Sequence, residues 1–183
     1  MLNRNMHEKR DSIQALVDNS VLTFPRSGRF FTASTLNLPA SVSGTNNLVQ
    51  RVEVSHEQAS LEGWRALSGS GHWASASSAT NKTFMVDLGV NAVVRGYTLQ
   101  NGHAVSSLNV YSPRSWTLEG STDGRNWTTV HTVSNSTDTT ASAVRTFSFT
   151  NSTAFRFYRF VFTLGNDATF NQYIIIQQLT LTA

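Results

Sequence analysis

Pro113-Arg114-Ser115-Trp116-Thr117-Leu118-Glu119-Gly120-Ser121-Thr122-Asp123-Gly124-Arg125-Asn126-Trp127 is the stretch whose reading decides the fold. Trp116, Leu118 and Gly120 alternate with Ser115, Thr117 and Glu119, and a period of two belongs to a strand with one buried face. Asp123-Gly124 supplies the positive backbone angles of a tight turn. A second strand follows, with Trp127, Thr129, His131 and Val133 on one side. The stretch predicts a β-hairpin with a tryptophan on each arm. Trp116 and Trp127 are expected as core fillers, together with Trp73 further upstream.

Outward from the hairpin the same period recurs. Leu48, Val52 and Val54 share a parity, so Leu48–Ser55 reads as the first strand of the compact domain. Phe84, Val86 and Leu88 point one way in the next strand, and Val93–Leu99 follows it. Val144–Thr150 sets Arg145, Phe147 and Phe149 on one side. Phe155-Arg156-Phe157-Tyr158-Arg159-Phe160-Val161-Phe162 is apolar on both parities, so it is buried on both faces or carries a bulge. Tyr173–Leu181 closes the chain. About eight strands with regular turn signals predict an all-β fold, an antiparallel β-sandwich or jelly roll.

Residues 1–20 differ. Arg4, Glu8, Lys9, Arg10, Asp11 and Asp18 cluster there, and Met6, Ile13, Leu16 and Val17 fall near helical spacing. A short amphipathic helix is expected from about Met6 to Val17, its apolar stripe packing on its own domain or docking on a partner subunit. The organisation is thus an N-terminal helix and linker over 1–47, then a sandwich over 48–183.

Four segments in order carry a family resemblance: Glu62-Gly63 with Trp73, the strand ending Val86-Asp87-Leu88-Gly89, the hairpin from Ser115 to Trp127, and the aromatic-Arg-aromatic run from Phe155 to Phe162. Residues 48–183 resemble the discoidin (coagulation factor V/VIII type C) domains and the related galactose-binding-like carbohydrate-binding modules. The resemblance implies a galactose-binding-like sandwich that recognises a cell-surface glycan through loops at one end, here His56–Thr83, Gln100–Ser112 and Leu164–Gln172. A sugar site needs aromatic faces and planar donors and acceptors. Trp64, His72, His103, Asn109, Tyr111, Phe170 and Asn171 supply them. Asn166, Asp167 and Tyr173 lie in or beside the same loops. Related domains often hold a structural calcium ion. Its expected place is near Glu62 and Gln178, where Gln178 stands in for a glutamate and, as a neutral amide, attracts the ion less. Asp87 is read as structural, and Arg114 as a brace for the loop end.

The remaining features mostly exclude. Of 183 residues, 39% are hydrophobic and 14% charged, and the net charge of +3 comes from scattered arginines and two lysines, Lys9 and Lys82. No basic stripe tracks a phosphate backbone, so nucleic acid is not expected. No cysteine is present, which removes disulfides and thiolate metal sites. The N-terminus has no apolar core of signal-peptide length and no run approaches the ~20 apolar residues of a membrane helix, so a soluble protein is expected. There is no His-Glu-x-x-His, phosphate loop or Gly-x-Ser-x-Gly elbow, and the five histidines lack ligand spacing; no enzyme is expected. The leading expectation is a non-catalytic glycan-recognition domain that is an oligomer or a component of a larger assembly, such as a phage virion (a tail or capsid accessory for host adhesion), docked to other subunits through residues 1–47. The alternative is a structural virion protein with no ligand. Lipid-headgroup binding ranks last, because the loops are rich in Ser, Gly, Asn and Ala with few basic residues.

Overall fold

The structure is a computed structural model that describes residues 24–26, 29–31, 34–35, 51–56, 58, 61–68, 71–75, 81–102, 110–167 and 173–183, the first three segments by backbone. The expected helix from Met6 to Val17, and docking through residues 1–47, lie outside the described side chains. In chain order the elements are β1 (Phe24–Arg26), β2 (Arg29–Phe31), β3 (Ser34–Thr35), β4 (Arg51–Val54), α1 (Trp64–Ser68), β5 (Trp73–Ala74), β6 (Lys82–Ala92), β7 (Gly96–Gln100), β8 (Pro113–Ser121), β9 (Thr128–Val133), β10 (Val144–Ser148), β11 (Phe155–Gly165), β12 (Ile175–Ile176) and β13 (Gln178–Thr182). Six of these strands form one sheet in the order β3-β4-β6-β11-β8-β9. A second sheet runs β10-β7-β13, and β1-β2 and β12-β5 make two short ladders. All described pairings are antiparallel.

The two larger sheets enclose one aromatic core. Val86, Leu88, Leu118, Phe160 and Phe162 project from the first sheet, and Tyr97, Leu99, Leu179 and Leu181 from the second. Tyr97 meets Phe160 edge-on at 5.0 Å, and Trp73 meets Phe84 edge-on at 5.3 Å. Trp73 and Trp116 are buried as expected. Each such side chain contributes about 1.5–3 kcal/mol through the area it removes from water. Asp87 has the structural role read for it: Oδ1 accepts from Arg156 Nε at 2.8 Å and from the Gly89 amide at 2.8 Å, and Oδ2 accepts from Arg156 Nη2 at 2.9 Å.

The hairpin forms where it was expected, as β8 and β9. Its turn is closed by Asp123, whose carboxylate accepts from the Arg125 and Asn126 amides, each at 2.8 Å. Those donors hold the Asp123 carboxyl well below the usual carboxylate range. Gly124 takes a φ of 70°, a conformation that favours glycine.

One expectation fails here: Trp127 is not core. β9 begins at Thr128, one residue after it. Leu118 faces His131 but Glu119 faces Thr129, so Val130 is an inserted residue. Such a bulge reverses the side-chain sense of the strand. His131 therefore keeps to the core side with Trp116, while Trp127 goes with Glu119 to the outer face. There it is half-buried, with the Arg159 guanidinium 4.0 Å from its ring centre. Arg159 Nε also donates to Glu119 at 2.9 Å. Bulges likewise settle the two-sided apolar run. β11 shifts register between Phe155 and Phe157. Phe155, Tyr158, Phe160 and Phe162 are all buried, while Phe157 and Arg159 are only half so.

A polar chain crosses the core. Trp116 Nε1 donates to Tyr97 Oη at 2.7 Å, and Tyr97 Oη lies 3.0 Å from His131 Nδ1. Tyr97 Oη accepts from Trp116 and has a proton to give, and it can give it to Nδ1 when His131 is neutral with its proton on Nε2. The imidazole stacks on Phe149 at 5.0 Å, and burial lowers its pKa. The groups of the second sheet that act on this chain are Tyr97 itself and the cationic Arg145. With the folded pKa below the ordinary value of about 6.5, the unfolded chain takes up the proton first as pH falls. The stabilisation is therefore complete above that value and is lost below it. The melting temperature is expected to fall between about pH 7 and pH 5, and to fall less in His131→Asn. Equal declines in the two proteins would show that His131 is not the group responsible.

Candidate functional site

Register places three chain segments at one end of the sandwich. Val54 lies opposite Phe84 and Lys82 opposite Phe162, while Gly165 faces Pro113 and Gln178 faces Gln100. The segments after β4, after β7 and after β11 therefore leave from the same end, as expected from the sequence. They are stitched together. Ile175 and Ile176 pair with Ala74 and Trp73, and the Ile174 amide donates to Ser75 Oγ at 2.9 Å. The Asn166 amide donates to the Ser112 carbonyl at 3.0 Å.

Of the residues proposed from sequence, Tyr111 is brought furthest into a site. It meets Tyr173 edge-on at 5.9 Å, and both rings are half-buried. The pair joins the segment after β7 to the one after β11. His72 is half-buried directly before the buried Trp73. Trp64 starts α1, and the Arg65 guanidinium sits 5.0 Å from its ring centre, so one face of the indole is occupied. Gly63 lets this segment lie against β4, where a Cβ would come within 2.5 Å of Val54 Cγ1. His103, Asn109, Phe170 and Asn171 lie outside the described residues. Asn166 is structural: its Nδ2 donates to the Ser136 carbonyl at 2.9 Å and to Ser112 Oγ at 3.3 Å.

Of the two expected calcium donors, Glu62 is engaged by an arginine and Gln178 is exposed. Glu62 Oε2 accepts from Arg65 Nε at 2.6 Å, and that donation holds the Glu62 carboxyl below its ordinary value. A cation already occupies the carboxylate. Gln178 is exposed on β13, opposite Gln100. Among the described residues no group of three or more His, Asp or Glu stands together.

Sequence reasoning missed a fourth segment at this end, 134–143. Asn101 Nδ2 donates to the Asp138 and Thr140 carbonyls at 3.1 and 3.0 Å. Arg114 Nε and Nη2 both donate to Asn135 Oδ1, at 2.8 and 2.6 Å, which makes it the brace it was read as. Arg145 anchors the segment from beneath. It is 8% exposed, and its Nη1 donates to the Pro113 carbonyl at 3.0 Å and Ser136 Oγ at 2.9 Å. Burial pulls its pKa down to about 10. The one available signal was its parity with Phe147 and Phe149, which marks an arginine pointing inward.

Comparison with known proteins fits this architecture. The F5/8 type C domain family model matches residues 46–175. No curated protein matches the chain. Among solved structures, a CBM32 of AlyQ in complex with 4,5-unsaturated mannuronic acid is similar, with TM-score 0.58 and 17% identity over 73% of this chain and 94% of that one. CpGH89CBM32-5 from Clostridium perfringens, in complex with GalNAc-beta-1,3-galactose, gives TM-score 0.61 and 16% identity over 76% and 98%. Chitosan-binding module 2 of a Paenibacillus sp. IK-5 chitosanase/glucanase, in complex with chitotriose, gives 0.57 and 22% over 72% and 95%. At these identities the likeness concerns the fold.

Proposed function

The chain belongs to the F5/8 type C domain family, and from that premise we propose that it is a non-catalytic module that binds a glycan at the loop end of the sandwich. The observation that carries this reading is the Tyr111–Tyr173 pair, two half-buried rings held together at the end where four segments converge. An aromatic face takes the C–H side of a pyranose, and neighbouring amides, carbonyls and imidazoles take its hydroxyls. The three fold neighbours above were each solved with a sugar bound, which supports the ligand class.

The test is a broad glycan array with the full chain, followed by calorimetry on the best binder with Tyr111→Ala and Tyr173→Ala. Each substitution is expected to weaken binding at least about tenfold, the 1.4 kcal/mol and upward of a truncated aromatic anchor. Both variants should keep their fold by circular dichroism. Undiminished binding in both, or an array with no binder, sinks the reading. Co-sedimentation with anionic vesicles in place of sugar binding would select the lipid-headgroup alternative.

A further inference from the structure

We propose that the outer edge of β10 pairs with the same edge of a second copy of this chain, antiparallel and centred on Thr146. The outer edge is the side of β10 away from β7. The Asn101 amide donates to the Ala143 carbonyl and the Phe149 amide to the Arg95 carbonyl, both at 2.9 Å. Odd-numbered residues of this strand therefore turn their backbone groups toward β7. In an antiparallel ladder the alternate residues turn theirs the other way. Val144, Thr146 and Ser148 thus present amides and carbonyls to the outside. All three residues are exposed, Val144 at 59%. Among the described residues no strand pairs with this edge.

Sheet edges are ordinarily guarded by short length, bulges, charges or a covering element. Three of the four edges of the main sheets carry such a device. β3 has two residues, β9 is bulged at Val130, and α1 packs against β13. β10 has none. It pairs with β7 in unbroken register through Val144–Ser148, and its one charge, Arg145, is buried on the core side.

A second observation lies on the same flank. Among the described residues, five partly buried hydrophobic residues border the core, and four of them, Val130, Val133, Phe147 and Phe149, belong to β9, β10 and the residue after β10. Among the described residues this flank carries most of the incompletely covered core border, and a partner along β10 would extend over it.

The sequence of the edge fits its own copy. With Thr146 on the two-fold axis, Thr146 faces Thr146 of the second copy, and Val144 faces Ser148. No like charges meet, and β-branched and hydroxyl pairs of this kind are favourable across strands. The three outward residues of each chain would exchange about six backbone hydrogen bonds. The two three-stranded sheets would then run on as one.

The test is the solution mass of the full chain by sedimentation at about 100 µM, a concentration that populates even a weak pair. The wild-type chain is expected at twice the monomer mass. Thr146→Lys and Thr146→Glu each set like charges face to face and should run as monomers, with the wild type's melting temperature at dilutions where it too is monomeric, since residue 146 is exposed. An equimolar mixture of the two should recover the doubled mass. Independently, exchange of the Val144, Thr146 and Ser148 amides should slow with concentration. A wild-type monomer, whether its edge stays open or takes up another protein's strand, overturns the proposal. So does a dimer indifferent to both substitutions. The edge and the loop-end tyrosines are separate surfaces, so the result stands apart from glycan binding.

Discussion

Trp116→Ala is expected to lower the unfolding free energy by about 3–5 kcal/mol, the range for truncating a large buried aromatic. Trp116 is 1% exposed on β8, which pairs with both β9 and β11. Its indole lies against Phe147 edge-on at 5.3 Å and beneath the Arg145 guanidinium at 5.5 Å. Removing it opens a cavity, exposes the flank of a buried cation and deprives Tyr97 Oη of a donor. Trp116→Phe separates these effects, because it keeps most of the ring and loses the N–H, at a cost of about 0.5–1.5 kcal/mol for the hydrogen bond. Denaturant midpoints at unchanged slope measure both. A loss below about 1 kcal/mol for the alanine variant would mean that the indole is not the centre of this packing.

Gly120→Ala is expected to cost about 1–3 kcal/mol through overpacking. Gly120 faces Tyr158 across β8 and β11, and Phe155 lies over it. A Cβ at this position would fall within 2.7 Å of three Phe155 ring carbons. The ring is buried and has little room to move. A cycle with Phe155→Leu isolates the clash: the double variant should be less destabilised than the sum of the two single changes. Strict additivity would show that the cost arises elsewhere, for example from backbone conformation.

Alternation made most of the fold legible. Trp116, Leu118, Phe84, Val86 and Leu88 sit on the faces that a period of two assigned them, and Asp123-Gly124 turns the chain where its backbone preferences require. Asp87 was read as structural on the expectation of a strand end there; β6 runs on to Ala92, and the carboxylate still finds its donors in Arg156 and Gly89. The periodic reading broke at Trp127. A single inserted residue, Val130, inverts every side chain before it, and whether a strand bulges is settled by its partner's register rather than by its own composition.

The site divides along the same line. That segments following β4, β7 and β11 share one end follows from antiparallel strand order, and it was the family resemblance that anticipated it. That Tyr111 meets Tyr173 while Trp64 turns to Arg65 was not, because those choices depend on contacts between residues far apart in the chain. The sequence by itself determined the class of fold, the inward faces of its strands and the tryptophans at Trp73 and Trp116, since local alternation and turn chemistry are properties of neighbouring residues. Only the tertiary structure decided the fate of Trp127, the pairing of Glu62 with Arg65, the anchoring of the 134–143 segment by Arg145 and the place of β10 at the edge of its sheet. Each of these depends on which strand or loop arrives alongside, and that is fixed by the packing of the whole core.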